Sequence, residues 1–155
     1  MIRRIVYRVK LTNQQPVERI LDVRKDNRNY NIDCVNSANE RLGSISFCIN
    51  EDKTWIYKIE TNEDYLHQGA GTALLSIMEY ISMLNRVTII EGKYHPENKF
   101  ARPFYEKYDY VIPNKTKDWA CYDDTWTLYK FLDYSKVRDK IEKKHFKVYV
   151  SRIET

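Results

Sequence analysis

The feature that most constrains this chain is a short turn with two glycines, joined directly to a long amphipathic segment. The turn covers residues 67–72, His-Gln-Gly-Ala-Gly-Thr. Apolar residues then recur three and four positions apart, at Ala70, Ala73, Leu74, Ile77, Met78, Ile81 and Leu84. This period predicts a helix over residues 69–84 with one wide apolar face, and the alternating segment 55–61 before it predicts a strand.

The turn between this strand and this helix has the composition of an anion-binding site. A helix begins with unpaired N–H groups and a partial positive charge, and glycine lets an anion approach the backbone closely. The hydroxyl of Thr72 adds one more donor. A plain strand–helix turn without a ligand is the alternative. No Lys follows Gly71, which excludes a P-loop, and Leu74 stands where a dinucleotide fingerprint needs a small residue.

The rest of the chain predicts a mixed α/β sheet and not a doubly wound parallel one. Strands are predicted over residues 2–11, 29–35, 41–50 and 55–61, with a short helix over residues 16–25 after the first. The second half predicts a strand at 87–91, a helix at 98–108, a short strand at 110–113, a strand at 125–132, a helix at 135–144 capped by Ser135, and a strand at 146–153. Proline costs little only in the first turn of a helix, so the helix predicted at 98–108 should become regular close to Pro103.

Composition excludes several classes of protein. The chain has 155 residues, 43% of them hydrophobic, which suits one domain with a core of its own. Its three cysteines and three histidines are scattered, so neither a disulfide framework nor a metal site is expected. The net charge of +4 is too mild for a segment that coats nucleic acid. No apolar run approaches the roughly 20 residues that span a bilayer, and the charged start does not fit a secretory signal. A soluble cytoplasmic protein is therefore expected.

Two motifs resemble those of one known family. Residues 66–71, Leu-His-Gln-Gly-Ala-Gly, resemble the acetyl-CoA loop of the GCN5-related N-acetyltransferase (GNAT) superfamily, Gln/Arg-x-x-Gly-x-Gly/Ala, with Leu66 at the usual Gln or Arg position. Residues 98–110 resemble the family's Asn-x-x-Ala-x-x-Phe-Tyr-Glu-Lys-x-Gly-Phe, with Asp109 at the Gly position and Tyr110 at the Phe position. The separation of the two motifs, through one helix and one strand, is also that of the family.

The resemblance implies a single GNAT-type domain over residues 1–133. Such a domain has a central, mostly antiparallel twisted sheet of about six or seven strands, splayed between the fourth and fifth strands and flanked by helices. Residues 134–155 lie past the usual end of the domain. They are expected to form a helix–strand extension that packs on the same domain or makes a dimer contact, so a homodimer is one expectation.

The resemblance also implies a reaction: an amine attacks the thioester of acetyl-CoA directly, through a tetrahedral intermediate, and no metal takes part. Tyr105 matches the family's general acid, with a buried structural aromatic as the alternative. Glu60 is the candidate base, with an exposed strand carboxylate as the alternative; Tyr57, Glu91 and Asp123 are weaker candidates. The residues that the resemblance assigns to acetyl-CoA binding are Ile59, Thr61, His67, Gln68, Gly69, Ala70, Gly71, Thr72, Asn98 and Ala101.

The acceptor depends on segments 12–30, 92–97 and 114–124, which match no family pattern. A small-molecule or peptide amine is expected, with no membrane partner. Two other functions stay open: a non-catalytic acyl-CoA-binding or partner-binding domain on the same fold, and an RNA-directed, toxin-like acetyltransferase. The basic stretch 136–144 prompts the second, but acidic residues interleave with its lysines, which is typical of a solvated helix face. Nucleic acid is therefore not expected as a partner.

Overall fold

The computed structural model describes residues 2–11, 17–62, 69–94, 101–113, 126–141 and 146–154. Within these ranges the strands are β1 (Ile2–Leu11), β2 (Val17–Asp26), β3 (Asn29–Val35), β4 (Arg41–Asn50), β5 (Lys53–Thr61), β6 (Ile89–Tyr94), β7 (Trp126–Phe131) and β8 (Phe146–Glu154). The helices are α1 (Ala70–Leu84), α2 (Ala101–Lys107) and α3 (Tyr134–Asp139).

All eight strands belong to one sheet with the order β7-β6-β5-β4-β3-β2-β1-β8. Each neighbouring pair is antiparallel except β5 and β6, which are parallel and are connected through α1. A parallel pair needs such a crossover, whereas the antiparallel strands need only short turns. The predicted fold class, a mixed α/β protein with a mostly antiparallel sheet, is therefore confirmed.

The helix predicted over residues 16–25 is wrong, because residues 17–26 form β2. Its Leu21 and Val23 are fully buried while Asp22 and Arg24 point to the other face, which is the two-residue period of a strand. Across the β1–β2 pair, Arg4 donates two hydrogen bonds of 2.9 Å to the carboxylate of Asp22. The sheet has eight strands, where about six or seven were expected.

Helix α1 packs its apolar face on the middle of the sheet, as its sequence period predicts. Ala73, Leu74, Ile77 and Met78 are fully buried, and they belong to one core cluster with Ile45 of β4. The burial of five such side chains contributes on the order of 10 kcal/mol. This packing fixes the first turn of α1 relative to the end of β5.

The segments after α2 depart from prediction in two details. The strand predicted at 110–113 is reduced to a single bridge between Val111 and Tyr129. The predicted cap Ser135 is wrong, because the N-cap of α3 is Asp133, whose carboxylate accepts from the backbone N–H of Lys136 at 3.3 Å. The predicted last strand is present as β8 and pairs with β1, so residues 146–154 lie in the same sheet as the rest of the chain.

Candidate active site

The two parallel strands in the sheet pair over four residues and then diverge. Their register begins at Lys53 and Ile89 and ends at Ile56 and Gly92 within the described part of the chain. A Cβ added to Gly92 would lie 3.3 Å from the Cβ of Ile56, so the two strands still pack closely at the last residue pair of their register. The register of β4 and β5 shifts at the same place, because Tyr57 is an extra residue in β5. This bulge and divergence confirm the predicted splay between the strands on either side of α1.

The glycine turn lies at the carboxyl end of β5 and begins α1. Gly69 is the N-cap in the left-handed conformation, with φ of 80°, and none of the described side chains caps the helix. The first helical hydrogen bond runs from the N–H of Ala73 to the carbonyl of Gly69, at 3.0 Å. The N–H groups before Ala73 therefore have no acceptor within the helix, and no acidic side chain occupies the first turn. The predicted ligands His67 and Gln68 lie outside the described residues.

Gly71 has a packing role that the sequence pattern did not indicate. A Cβ at this position would lie 3.0 Å from Cε1 and 3.2 Å from Cζ of Phe104. The missing side chain thus lets the ring of Phe104, and with it α2, approach the first turn of α1. The same position lies 3.8 Å from the hydroxyl oxygen of Thr61, which places the end of β5 against the turn.

The predicted acid Tyr105 lies on α2 among other aromatic rings. Its ring centroid is 5.4 Å from that of Tyr110, 5.5 Å from Phe104 and 6.4 Å from Tyr94 of β6. Tyr105 is buried, and this burial raises the pKa of its hydroxyl well above 10. The residue therefore keeps its proton at neutral pH, as a general acid must. Asn98 lies outside the described residues.

Helix α2 begins at Ala101, which is buried, and Pro103 is its third residue. Because residues 95–100 lie outside the described residues, the start of the regular helix close to the proline stays a prediction. The N–H groups of a first turn have no helical acceptor, so the missing donor of Pro103 costs nothing there.

The first turn of α1 also contacts Tyr108, the residue that follows α2. The hydroxyls of Thr72 and Tyr108 are hydrogen-bonded to each other. The ring of Tyr108 in turn lies 4.6 Å from the ammonium nitrogen of Lys140 and 5.5 Å from that of Lys107. Thr72 was predicted to contact the cofactor, whereas Lys140 was assigned to a solvated helix face. Sequence spacing carries no signal that brings Lys140 here.

The candidate base Glu60 lies in a network of ion pairs at the surface. Its carboxylate is 3.2 Å from the ammonium of Lys58 and 3.2 Å from the guanidinium of Arg41, and it accepts a hydrogen bond of 3.3 Å from Ser44. The hydrogen bond from Lys58 is the largest cause, ahead of that from Arg41, of a pKa below the usual value for a glutamate. A carboxylate with a lowered pKa is a weaker base, so these contacts favour the alternative of an exposed strand carboxylate.

The backbone around Glu60 is nonetheless closely fitted to its neighbours. Ile59 packs against the core, and Thr61 pairs with Gly43 of β4. A Cβ at Gly43 would lie 2.5 Å from the carbonyl oxygen of Glu60. Among the weaker base candidates, Tyr57 is exposed at the bulge and Glu91 forms an ion pair of 3.2 Å with Lys53, while Asp123 lies outside the described residues.

In the part of the chain that the structure describes, three or more His, Cys, Asp or Glu side chains nowhere come together as a group able to hold a metal ion. None of the described helices combines the length and the apolar character needed to cross a bilayer.

Comparison with known proteins places this site in a family. The sequence model of the Acetyltransferase (GNAT) family matches residues 6–110, and the chain belongs to this family. The matched region contains the diverging strands, the glycine turn and α2, and it ends before α3. A search of curated protein sequences finds no match.

Solved structures share the fold at low sequence identity. The ribosomal-protein-S18-alanine N-acetyltransferase from Escherichia coli superposes with a TM-score of 0.59 at 17% identity, covering 70% of this chain and 72% of that one. Ard1 from Thermoplasma volcanium gives 0.57 at 16%, covering 66% and 70%. The PaiA N-acetyltransferase from Thermoplasma acidophilum, solved in complex with coenzyme A, gives 0.59 at 16%, covering 68% and 62%.

Proposed function

We propose that this protein is an N-acetyltransferase that moves an acetyl group from acetyl-CoA to a primary amine. The observation that carries the proposal is the divergence of β5 from β6 directly beside a helix N-terminus with a glycine cap and no acidic residue. Membership of the GNAT family and the coenzyme A complex of the PaiA relative support it.

The described residues fit the cofactor in two places. The first turn of α1 offers backbone N–H groups, and Gly69 leaves them without a competing side-chain cap, which suits the pyrophosphate. Past Ile56, the edge of β5 that faces β6 has no strand partner among the described residues, so its backbone groups suit the amides of the pantetheine arm. His67, Gln68 and Asn98 belong to the same proposal through the family pattern.

Acetyl-CoA supplies an acetyl group activated as a thioester, which a neutral amine attacks directly. Tyr105 then donates a proton to the leaving thiolate, because its burial keeps the hydroxyl protonated. Backbone N–H groups of β5 between Ile59 and Thr61 are the proposed donors to the developing oxyanion. Water removes the proton of the amine, since the carboxylate of Glu60 is already neutralised by Lys58 and Arg41.

The proposed acceptor is a small-molecule or peptide amine that approaches the thioester at the splay. In this part of β5 the bulge residue Tyr57 and the nearby Trp55 are aromatic, and Tyr57 is exposed. A GNAT domain that binds acetyl-CoA without catalysis is the competing function, and Tyr105 is the residue that separates the two.

The test combines cofactor binding with turnover. Acetyl-CoA binding is measured by titration calorimetry, and release of the coenzyme A thiol is followed with a panel of primary amines. Tyr105→Phe should retain binding and lower turnover about 100-fold, the usual scale of general acid catalysis. Tyr30→Phe is the matched control, because Tyr30 is also buried but stacks on Phe47 in the sheet. Binding without thiol release for any amine would favour the non-catalytic function, and absence of binding would contradict both.

A further inference from the structure

The ring of Tyr108 has two ammonium groups against it and no described carboxylate paired with either. Lys140 and Lys107 lie 4.6 Å and 5.5 Å from its centroid, both within the range of cation–π contact. Neither lysine forms an ion pair within the described ranges, although ion pairs are frequent elsewhere in them. Two like charges on one ring favour the binding of an anion beside them.

The buried carboxylate of Glu79 is already paired with a different lysine, Lys130. Both oxygens of Glu79 contact the ammonium of Lys130, at 3.2 and 3.3 Å, and Oε2 also accepts a hydrogen bond of 2.7 Å from Tyr110. Burial is the main cause of a lowered pKa for Lys140, with Lys130 and Lys107 acting in the same direction against Glu79 and Asp109. Lys140 is thus in surroundings that disfavour its charge unless an anion is added.

The same ring connects the two lysines to the glycine turn. The hydroxyl of Tyr108 is bonded to that of Thr72, the third residue of α1, whose first turn has free N–H groups and no acidic side chain. The two cations and the helix N-terminus therefore act on one region of the surface.

Lys140 is held in this position by the packing of α3. Val137 and Ile141 on either side of it are buried, and the hydroxyl of Tyr134 donates to the carbonyl of Val87 at 2.6 Å. These anchors fix the segment that follows Asp133, although it lies beyond residue 110, where the match to the family ends. A preorganised cation loses little side-chain entropy when it binds a ligand.

We propose that Lys140, together with Lys107, binds a phosphate of the acetyl-CoA molecule whose pyrophosphate lies at the first turn of α1. The segment after residue 133 is then part of the cofactor site and not an appendage to it. This inference rests on the proposed function. The phosphate is either the pyrophosphate or the 3′-phosphate of the adenosine, and both have the same chemistry.

The experiment measures the binding of coenzyme A and of dephospho-coenzyme A by calorimetry. Lys140→Met removes the charge and keeps the length of the side chain, and Lys140→Arg restores a cation. Lys136→Met is the matched control, because Lys136 is an exposed lysine on α3, whose C-cap is Lys140. Thermal unfolding of each variant shows that it is folded.

Lys140→Met should raise the Kd for coenzyme A about tenfold or more, the scale of a hydrogen bond to a charged group. Lys140→Arg should recover most of the affinity, and Lys136→Met should change it less than about twofold.

The two ligands identify the phosphate. If Lys140 binds the 3′-phosphate, Lys140→Met weakens coenzyme A but not dephospho-coenzyme A; if it binds the pyrophosphate, both ligands weaken equally. The inference is overturned if folded Lys140→Met binds coenzyme A as tightly as Lys136→Met does. If the unmodified protein binds no coenzyme A, the proposed function fails together with the inference, and this outcome is distinct from the previous one.

Discussion

The buried carboxylate of Glu79, on α1, forms an ion pair with Lys130. Its side chain is 5% exposed, whereas that of Lys130, on β7, is 18% exposed, so water reaches the lysine better than the glutamate. Lys130→Met should leave a buried negative charge whose remaining hydrogen-bond donor among the described residues is the hydroxyl of Tyr110. Removal of one partner from a buried pair costs about 3–5 kcal/mol. Because Lys140 supplies a second positive charge nearby, the expected loss for Lys130→Met is near 3 kcal/mol.

Glu79→Gln is the informative second substitution, because an amide still accepts from Tyr110 but needs no cation. In this background Lys130→Met should cost only about 1 kcal/mol, the scale of lost packing of the lysine stem. The coupling free energy between the two positions is then about 2 kcal/mol. An ion pair that contributes little net free energy to stability can still show such coupling, because each single substitution leaves the other charged group without its partner.

Urea unfolding at neutral pH, followed by circular dichroism, measures these differences. With an m value of about 2 kcal/mol/M, Lys130→Met should lower the midpoint by about 1.5 M. Lys136→Met, which removes an exposed lysine, should change the stability by no more than about 0.5 kcal/mol. The reasoning is refuted if Lys130→Met costs less than about 1 kcal/mol, or if it costs the same with and without Glu79→Gln.

Alanine at Gly43 should lower the free energy of unfolding by about 2–3 kcal/mol, because its Cβ would lie 2.5 Å from the backbone carbonyl oxygen of Glu60; an unchanged urea midpoint would contradict this close fit. Gly69→Ala should cost about 1 kcal/mol, since φ is 80° there, and it should also weaken acetyl-CoA binding in calorimetry; full affinity would argue against the turn as the phosphate site. Burial raises the pKa of the Cys34 thiol from 9.0 to about 12, so the folded state keeps this proton to higher pH than the unfolded chain does. Stability should therefore fall as pH rises from 9 towards 12, by up to about 1.4 kcal/mol per pH unit for this group, and Cys34→Ala should flatten this slope in urea unfolding at several pH values. Because burial also raises the pKa of Tyr105, the pH profile of kcat should show no alkaline limb from this residue below about pH 10.

Local patterns were sufficient for the elements that bury one regular face. The period of α1 and the alternation of β3 and β4 predicted each element close to its observed bounds. Residues 17–26 failed because Val17, Ile20 and Leu21 suit a helix face as well as a strand. Only the pairing of this segment with β1 on one side and β3 on the other decides between the two.

The candidate site also contains some features that local sequence patterns indicate and others that they do not. The glycine turn and Tyr105 could be singled out as candidates in the sequence, because each lies in a short motif with its own spacing. The fit of Phe104 against Gly71 joins positions 33 residues apart, and the contact of Lys140 with Tyr108 joins positions 32 residues apart. Contacts of this kind depend on how α1, α2 and α3 pack together, and no local pattern encodes that packing.

The most direct test of the account is a residue-level map of acetyl-CoA binding by nuclear magnetic resonance. The account predicts that amide resonances of the first turn of α1, from Ala70 to Thr72, and those of the splayed strands at Tyr57 and Gly92, move together on titration. Resonances of the β2–β3 turn at Asn27 should stay in place, since this turn is distant in the sheet order from β5 and β6. Saturation without any change from Ala70 to Thr72, or changes confined to the β2–β3 turn, would contradict the assignment of this site to acetyl-CoA.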